Sequence, residues 1–178
     1  SYVEKQDFAS AETLIEEVLE EKNLSKKQKK ELELVCSDFY LQKKDFEKAI
    51  KSLLSATKFI KNKRKKVRLN YILAQIYQDK QKLSLAQKHY KIVLKSNPEY
   101  EMAFNAKMNL ARSLEKGSSG VQKMKETLLK MTKDEKNTEY LDQIYYTIAE
   151  IEKNNGDTSS AVENYELSTL NSTNNNPQ

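Results

Sequence analysis

The chain has 178 residues, room for one domain or one repeat array. Three Gly and two Pro are too few for a turn-rich all-β fold, while 32 % charged against 38 % hydrophobic residues suits helices with one apolar stripe each. The formal net charge of +5 is unevenly placed: residues 1–24 hold two Lys and seven acids, residues 25–68 fifteen Lys and Arg and five acids, and residues 69–178 fourteen of each sign. No apolar run approaches the roughly 18 residues of a membrane-spanning helix. The single cysteine, Cys36, excludes an internal disulfide and a cysteine-built zinc site. It falls on an apolar helix face, where cysteine acts as a small hydrophobe. The start Ser1-Tyr2 and the polar run Ser172 to Gln178 read as ends cut from something longer, so a missing secretory signal excludes little.

Residues 7–21 predict an amphipathic helix with Asp7 as N-cap and Phe8, Ala11, Ile15, Val18 and Leu19 on one face. Lys22 to Leu24 break it. Ser25 and Gln28 have capping-box spacing and open a helix to about Lys43, with Leu32, Val35, Cys36, Phe39 and Tyr40 apolar. Lys43-Lys44 make a turn, and residues 45–60 then repeat the first helix in register: Asp45-Phe46 and Ala49 follow Asp7-Phe8 and Ala11 by 38 residues. Residues 68–112 read as helix, turn, helix, an Asn97-Pro98 break, and helix. There the phase returns 37 residues on, at Leu83, Ala86, Tyr90 and Val93, and again at Thr158, Ala161, Tyr165 and Ser168.

Between these, a helix over 99–115 carries Phe104, Met108, Ala111 and Leu114. Residues 117–120 make a turn in which Gly117 and Gly120 supply positive φ. Ser119 is placed to cap the next helix, with Val121, Met124, Leu128 and Met131. Residues 133–138 read as a polar connection. A helix over 138–154 carries Leu141, Ile144, Tyr145, Ile148 and Ala149, and Gly156 ends it. A period in the high thirties is the signature of stacked helical hairpins, none of which can bury both of its apolar faces alone. Ala49, Ala74, Ala86, Ala149 and Ala161 let helix axes approach, and Tyr40, Tyr77, Tyr90 and Tyr165 fill the space between hairpins.

Leu73-Ala74-x-x-Tyr77, Ala86-x-x-x-Tyr90 and Pro98 resemble the tetratricopeptide signature. So do Tyr145-x-x-Ile148-Ala149 with Gly156 and Ala161-x-x-x-Tyr165, and Cys36-Ser37-x-x-Tyr40 with Ala49-x-x-x-Leu53. The departures are Asn70 for the leading aromatic, Ala74 for Gly and Glu152 for the second Tyr. The resemblance implies an all-α, right-handed superhelix of tetratricopeptide hairpins over residues 1–178: approximately 1–24 (partial), 25–62, 67–97, 98–132 and 138–172. A more specific likeness covers roughly residues 30–178. YILAQIYQ (71–78), NPEYEMAFNAKMNLAR (97–112), KDEKNTEYLDQIYYTIAEIE (133–152) and STNNNPQ (172–178) resemble the tetratricopeptide lipoproteins of the Bacteroidota gliding-motility and type IX secretion apparatus. That likeness implies a periplasmic protein, anchored at the outer membrane by a lipid outside this segment, whose partners are other envelope components of the secretion system. The alternative is a cytoplasmic peptide-binding module.

Chemistry is sparse. There is no Gly-rich phosphate loop, HExxH or CxxC, and the only histidine, His89, reads as a surface or boundary residue. Glu16-Glu17 and Glu20-Glu21 read as a solvated helix face. The expectation is no enzyme, no cofactor, no metal and no small-molecule substrate. In tetratricopeptide arrays a concave groove is lined mainly by the first helix of each hairpin. That geometry selects Arg68, Tyr71, Gln75, Asn105, Asn109, Arg112, Tyr146 and Glu150 to hold a protein or extended peptide. The lysine expected near Asn105 for a two-carboxylate clamp is absent. A basic edge, Lys26, Lys27, Lys29, Lys30, Lys63, Arg64, Lys65 and Lys66, reads as a solvated face or as an anion-binding surface. Nucleic acid is disfavoured there, because no aromatic interleaves the lysines for base stacking.

Overall fold

The computed structural model describes residues 8–21 and 23–172. The expected cap Asp7 lies outside them. Among the described residues the chain is all-helical, with no strand. The elements are α1 (Phe8–Glu20), α2 (Lys26–Gln42), α3 (Phe46–Phe59), α4 (Lys63–Asp79), α5 (Leu83–Lys95), α6 (Tyr100–Arg112), α7 (Gly120–Met131), a 3-10 turn (Glu135–Tyr140), α8 (Leu141–Asn155) and α9 (Thr158–Leu170). They fall into two compact units, Ser1–Ile76 and Tyr77–Gln178, with the boundary inside α4.

In the first unit, α2 starts at a complete capping box: the Gln28 backbone N–H donates to Ser25 Oγ at 3.3 Å, and the Ser25 N–H donates to Gln28 Oε1 at 2.9 Å. Asp45 caps α3, its Oδ1 accepting the Lys48 N–H at 3.1 Å. The core joins Ala11 and Ile15 of α1 to Cys36, Phe39 and Tyr40 of α2 and Ala49 of α3. Burial pushes the Cys36 thiol up to about 11, so it stays protonated and inert at neutral pH. Glu12 of α1 ties the core's edge, pairing with Lys43 and, at 3.0 Å, with Lys48. The hydrogen bonds from Lys43 and then Lys48 hold its carboxyl below the usual range. Two expected core residues are not buried: Leu19 is 47 % and Val35 56 % exposed. Each lies at the margin of its helix's apolar stripe, where no neighbouring element covers it.

In the second unit, the core gathers Phe104, Met108 and Ala111 of α6, Leu128 of α7, and Ile144, Ile148 and Ile151 of α8. Val121, Met124, Met131, Tyr140 and Tyr145 pack around it. Here the fold departs from the sequence expectation four times. The polar connection is the 3-10 turn, held by a buried Asn137 that donates to Met131 O at 2.8 Å and accepts from the Tyr100 hydroxyl. Ser119 makes no side-chain cap of α7. Only Gly117, at φ 70°, takes a positive φ in its turn; Gly120 is the first residue of α7. His89 is buried at 7 % exposure, stacked on Tyr77 with ring centroids 5.4 Å apart. Packing against an aromatic ring outweighs the polarity that suggested a surface position.

Glu152 replaces the second Tyr of the repeat and is 4 % exposed. Its carboxylate bonds to Lys125 of α7 at 2.5 Å and accepts from the Asn164 amide of α9 at 2.9 Å, linking three helices. The hairpin turns share a left-handed residue: Lys44 (φ 61°), Gln81 (φ 56°) and Gly156 (φ 92°). Asn97, at φ 49°, does the same before Pro98.

Two measurements follow from these interior polar groups. Lys125→Met strands the Glu152 carboxylate and should cost about 2 kcal/mol in urea unfolding, less than a fully buried pair because the Lys125 side chain is 29 % exposed. Glu152→Gln with Lys125→Met should recover most of that loss. Burial, and to a lesser degree Lys88, lowers the His89 pKa from its ordinary 6.5. The unfolded chain therefore binds the proton first as pH falls. The stability that His89 contributes is whole above 6.5 and is lost as pH drops toward the lowered folded value. His89→Phe should flatten the difference in urea midpoint between about pH 7.5 and about pH 5.

Candidate protein-binding groove

The candidate residues lie on faces that helical periodicity turns away from each core. In the first unit α4 buries Val67, Leu69, Asn70, Leu73, Ala74 and Ile76. Its other side presents Arg68 and Gln75, both exposed, with Tyr71 half-buried between them. In the second unit α6 turns Phe104, Met108 and Ala111 inward, so Asn105, Asn109 and Arg112 fall together on an adjoining face. The two asparagines are half-buried and Arg112 is exposed.

The structure brings three of the candidates into one site. Arg112, Tyr146 and Glu150 line a cavity of about 330 Å³ between α6, α7 and α8. The Arg112 guanidinium sits 5.9 Å from the Tyr146 ring centroid, within cation–π range. Its Nη2 donates to Thr147 Oγ1 at 3.3 Å. It has no carboxylate partner among the described residues, which leaves most of its fork of donors for a ligand. Tyr146, 45 % exposed, packs edge-on against Tyr165 at 5.5 Å between centroids. Glu150 accepts the Tyr165 hydroxyl and lies 3.7 Å from Lys153 Nζ. Burial and then the bond to Glu150 push the Tyr165 phenol up to about 12, so it remains a donor throughout the physiological range. Leu114, Val121 and Ile151 form the apolar floor.

Asn154 and Asn155 complete the lining. Asn154 stands one turn beyond Glu150, a signal available from the same spacing that selected Tyr146 and Glu150. Asn155 has a structural task, accepting the Gly117 N–H at 2.9 Å and donating to Ile151 O at 2.7 Å. Asn105 and Asn109 do not line the cavity. The site therefore offers a cation, an aromatic face, a carboxylate and a greasy floor within one depression. That set suits a polypeptide segment: a carbonyl or carboxylate for Arg112, an N–H or ammonium for Glu150 and Asn154, and an apolar side chain below.

The expected basic residues occupy the first turns of α2 and α4 in the first unit. All are exposed except Lys30, which is half-buried. Neither helix carries an acidic residue in its first turn, so the lysines add to the positive end of each helix dipole instead of offsetting it. Asn62 helps hold α4, its Oδ1 accepting the Lys65 N–H at 3.0 Å. Among the described residues no group of acidic, cysteine and histidine side chains is placed to hold a metal ion. No described helix is long and apolar enough to cross a membrane.

Comparison with known proteins agrees with this architecture. The tetratricopeptide repeat profile matches residues 67–100 and 142–174, the α4–α5 and α8–α9 segments. The crystal structure of BtubC (BKLC) from P. vanneervenii is similar in fold, with a TM-score of 0.57 at 17 % identity over 99 % of this chain and 80 % of that one. No curated protein matches the sequence. The chain thus carries tetratricopeptide repeats on an all-α fold, an architecture that supports a protein-interaction role.

Proposed function

We propose that the chain is a non-catalytic scaffold that holds an extended polypeptide, with Arg112, Tyr146 and Glu150 of the second unit as the anchoring site. The observation that carries this reading is the Arg112 guanidinium, without a carboxylate partner among the described residues, placed by an aromatic ring in the lining of a cavity with an apolar floor. Arg and Tyr dominate binding energies at interfaces because each joins large contact area to directed hydrogen bonds. Asn105 and Asn109 on α6 add polar surface in the same unit, and Arg68, Tyr71 and Gln75 on α4 are proposed as a separate contact face of the first unit.

The partner class within this reading is an envelope component of the type IX secretion and gliding machinery, met in the periplasm. Its support is the likeness of residues 71–78, 97–112 and 133–152 to the lipoproteins of that apparatus. A cytoplasmic peptide-binding role is the competing assignment, and a lipoprotein signal at the start of the parent gene would decide against it. The exposed basic turns of α2 and α4 favour a weaker second reading, contact with an anionic surface; undetectable or salt-independent binding to polyanions would remove it.

The test is affinity capture from an envelope extract with the protein and with Arg112→Ala/Tyr146→Ala. The intact protein should recover secretion components. The double variant, unchanged in circular dichroism, should recover roughly a tenth as much. Equal recovery by the variant removes the groove; a capture without any secretion component removes the assignment to that machinery.

A further inference from the structure

A second exposed surface lies on α9, beside the groove, with Tyr165 standing between the two. Gln87 of α5, Lys125 of α7 and Val162 of α9 occupy one position of the repeat, each following the residue in the Ala86, Met124 and Ala161 register. On α5, Gln87 Nε2 donates to Ser113 O at the end of α6, 2.7 Å away. On α7, Lys125 reaches Glu152 near the end of α8 at 2.5 Å. In both cases this position receives the first helix of the following hairpin. On α9 the same position is open: Val162 is 50 % exposed and Leu170, two turns on, is 81 % exposed. Together with Tyr165, Glu166 and Thr169 they line a groove of about 470 Å³.

We propose that this face docks a basic amphipathic helix from another polypeptide, laid on α9 as α6 is laid on α5 and α8 on α7. Charge selects the occupant. α7 carries Lys123, Lys125 and Lys130 and receives α8, with Asp142, Glu150 and Glu152. On α9 the polarity is reversed: Glu163 and Glu166 are present, and no Lys or Arg occurs from Thr158 to Ser172. Val162 and Leu170 stand where α5 has Gln87 and Lys95 in register, so the seat is more apolar than the one on α5. A second copy fits poorly. The exposed Leu14 and Leu19 of α1 stand among Glu16, Glu17, Glu20 and Glu21, and α9 packed on its own twin sets Glu166 against Glu166. Thr173 to Gln178 hold only Thr, Asn, Pro and Gln, so these six residues have no aliphatic side chain to fill the groove.

The chain supplies its own probes. A labelled peptide of residues 63–79 is a basic first helix, with Lys63, Arg64, Lys65, Lys66 and Arg68 beside Leu69, Ile72, Leu73 and Ile76. A peptide of residues 141–155 is an acidic one. Titrated by fluorescence anisotropy into the whole chain, the first should bind about tenfold tighter than the second. Val162→Asp and Leu170→Asp, at exposed sites that leave the circular dichroism unchanged, should each weaken it roughly tenfold, while Arg112→Ala, at a residue with no contact to the α9 groove, leaves it unaltered. Affinity for the basic peptide that neither α9 substitution changes overturns the proposal. Equal binding of the two peptides overturns its charge assignment. A dimer in sedimentation velocity that Leu170→Asp abolishes would make a second copy the occupant instead.

Discussion

The hairpins are held at alanines. Ala49 on α3, Ala86 on α5, Ala149 on α8 and Ala161 on α9 are buried to 2 % exposure or less. A methyl group at these points allows the closest interaxial distances that packed helices reach, about 8 Å. Everything else takes its position from that approach. Once an alanine fixes which side of a helix faces its neighbour, the residues a third of a turn away face solvent or the next hairpin. Arg112, Tyr146 and Glu150 fall side by side at the edge of the packed faces that the neighbouring Ala111 and Ala149 help to bury. A larger residue at the fully buried Ala149 would shift α8, which carries Tyr146 and Glu150.

Much of this was legible in the sequence, because period and phase decide which residues share a face. The capping box at Ser25, the Asp45 cap, the helix end at Gly156 and the buried alanines all follow from local chemistry, and the structure has each of them. The meeting of Arg112 with Tyr146 and Glu150 follows from the same phase extended across two hairpins. What was not legible depends on contacts distant in sequence. Val35 and Leu19 fit a helical stripe, but a stripe does not say how far its partner extends. His89 is polar by composition and buried by its stacking on Tyr77. Asn137 belongs to an unremarkable polar connection until Tyr100, from another helix, bonds to it.

Glu152 is the clearest case. In a repeat that expects Tyr, a glutamate suggests a lost contact. It instead makes two new ones, to Lys125 and Asn164, and so replaces shape with charge at a junction of three helices. A tyrosine fills volume and tolerates small rotations of its neighbours. A buried carboxylate is directional, because each unmet hydrogen bond there costs more than a poor van der Waals contact. The junction of α7, α8 and α9 is therefore defined more narrowly than aromatic packing alone would make it, and it shares α8 with the depression formed by Arg112, Tyr146 and Glu150.

Lys44, Gln81 and Gly156 stand at equivalent places in three hairpin turns, and all three are left-handed. Only the last is the residue for which that conformation is free of steric strain. An L-residue with a Cβ gives up about 1 kcal/mol there. The two earlier turns thus hold a reserve of thermal tolerance, reached by one atom-group deletion in each. Because both side chains are exposed, drawing on it would alter neither the core nor any binding face. A lineage growing at higher temperature has these two positions open to it before it need touch anything that functions.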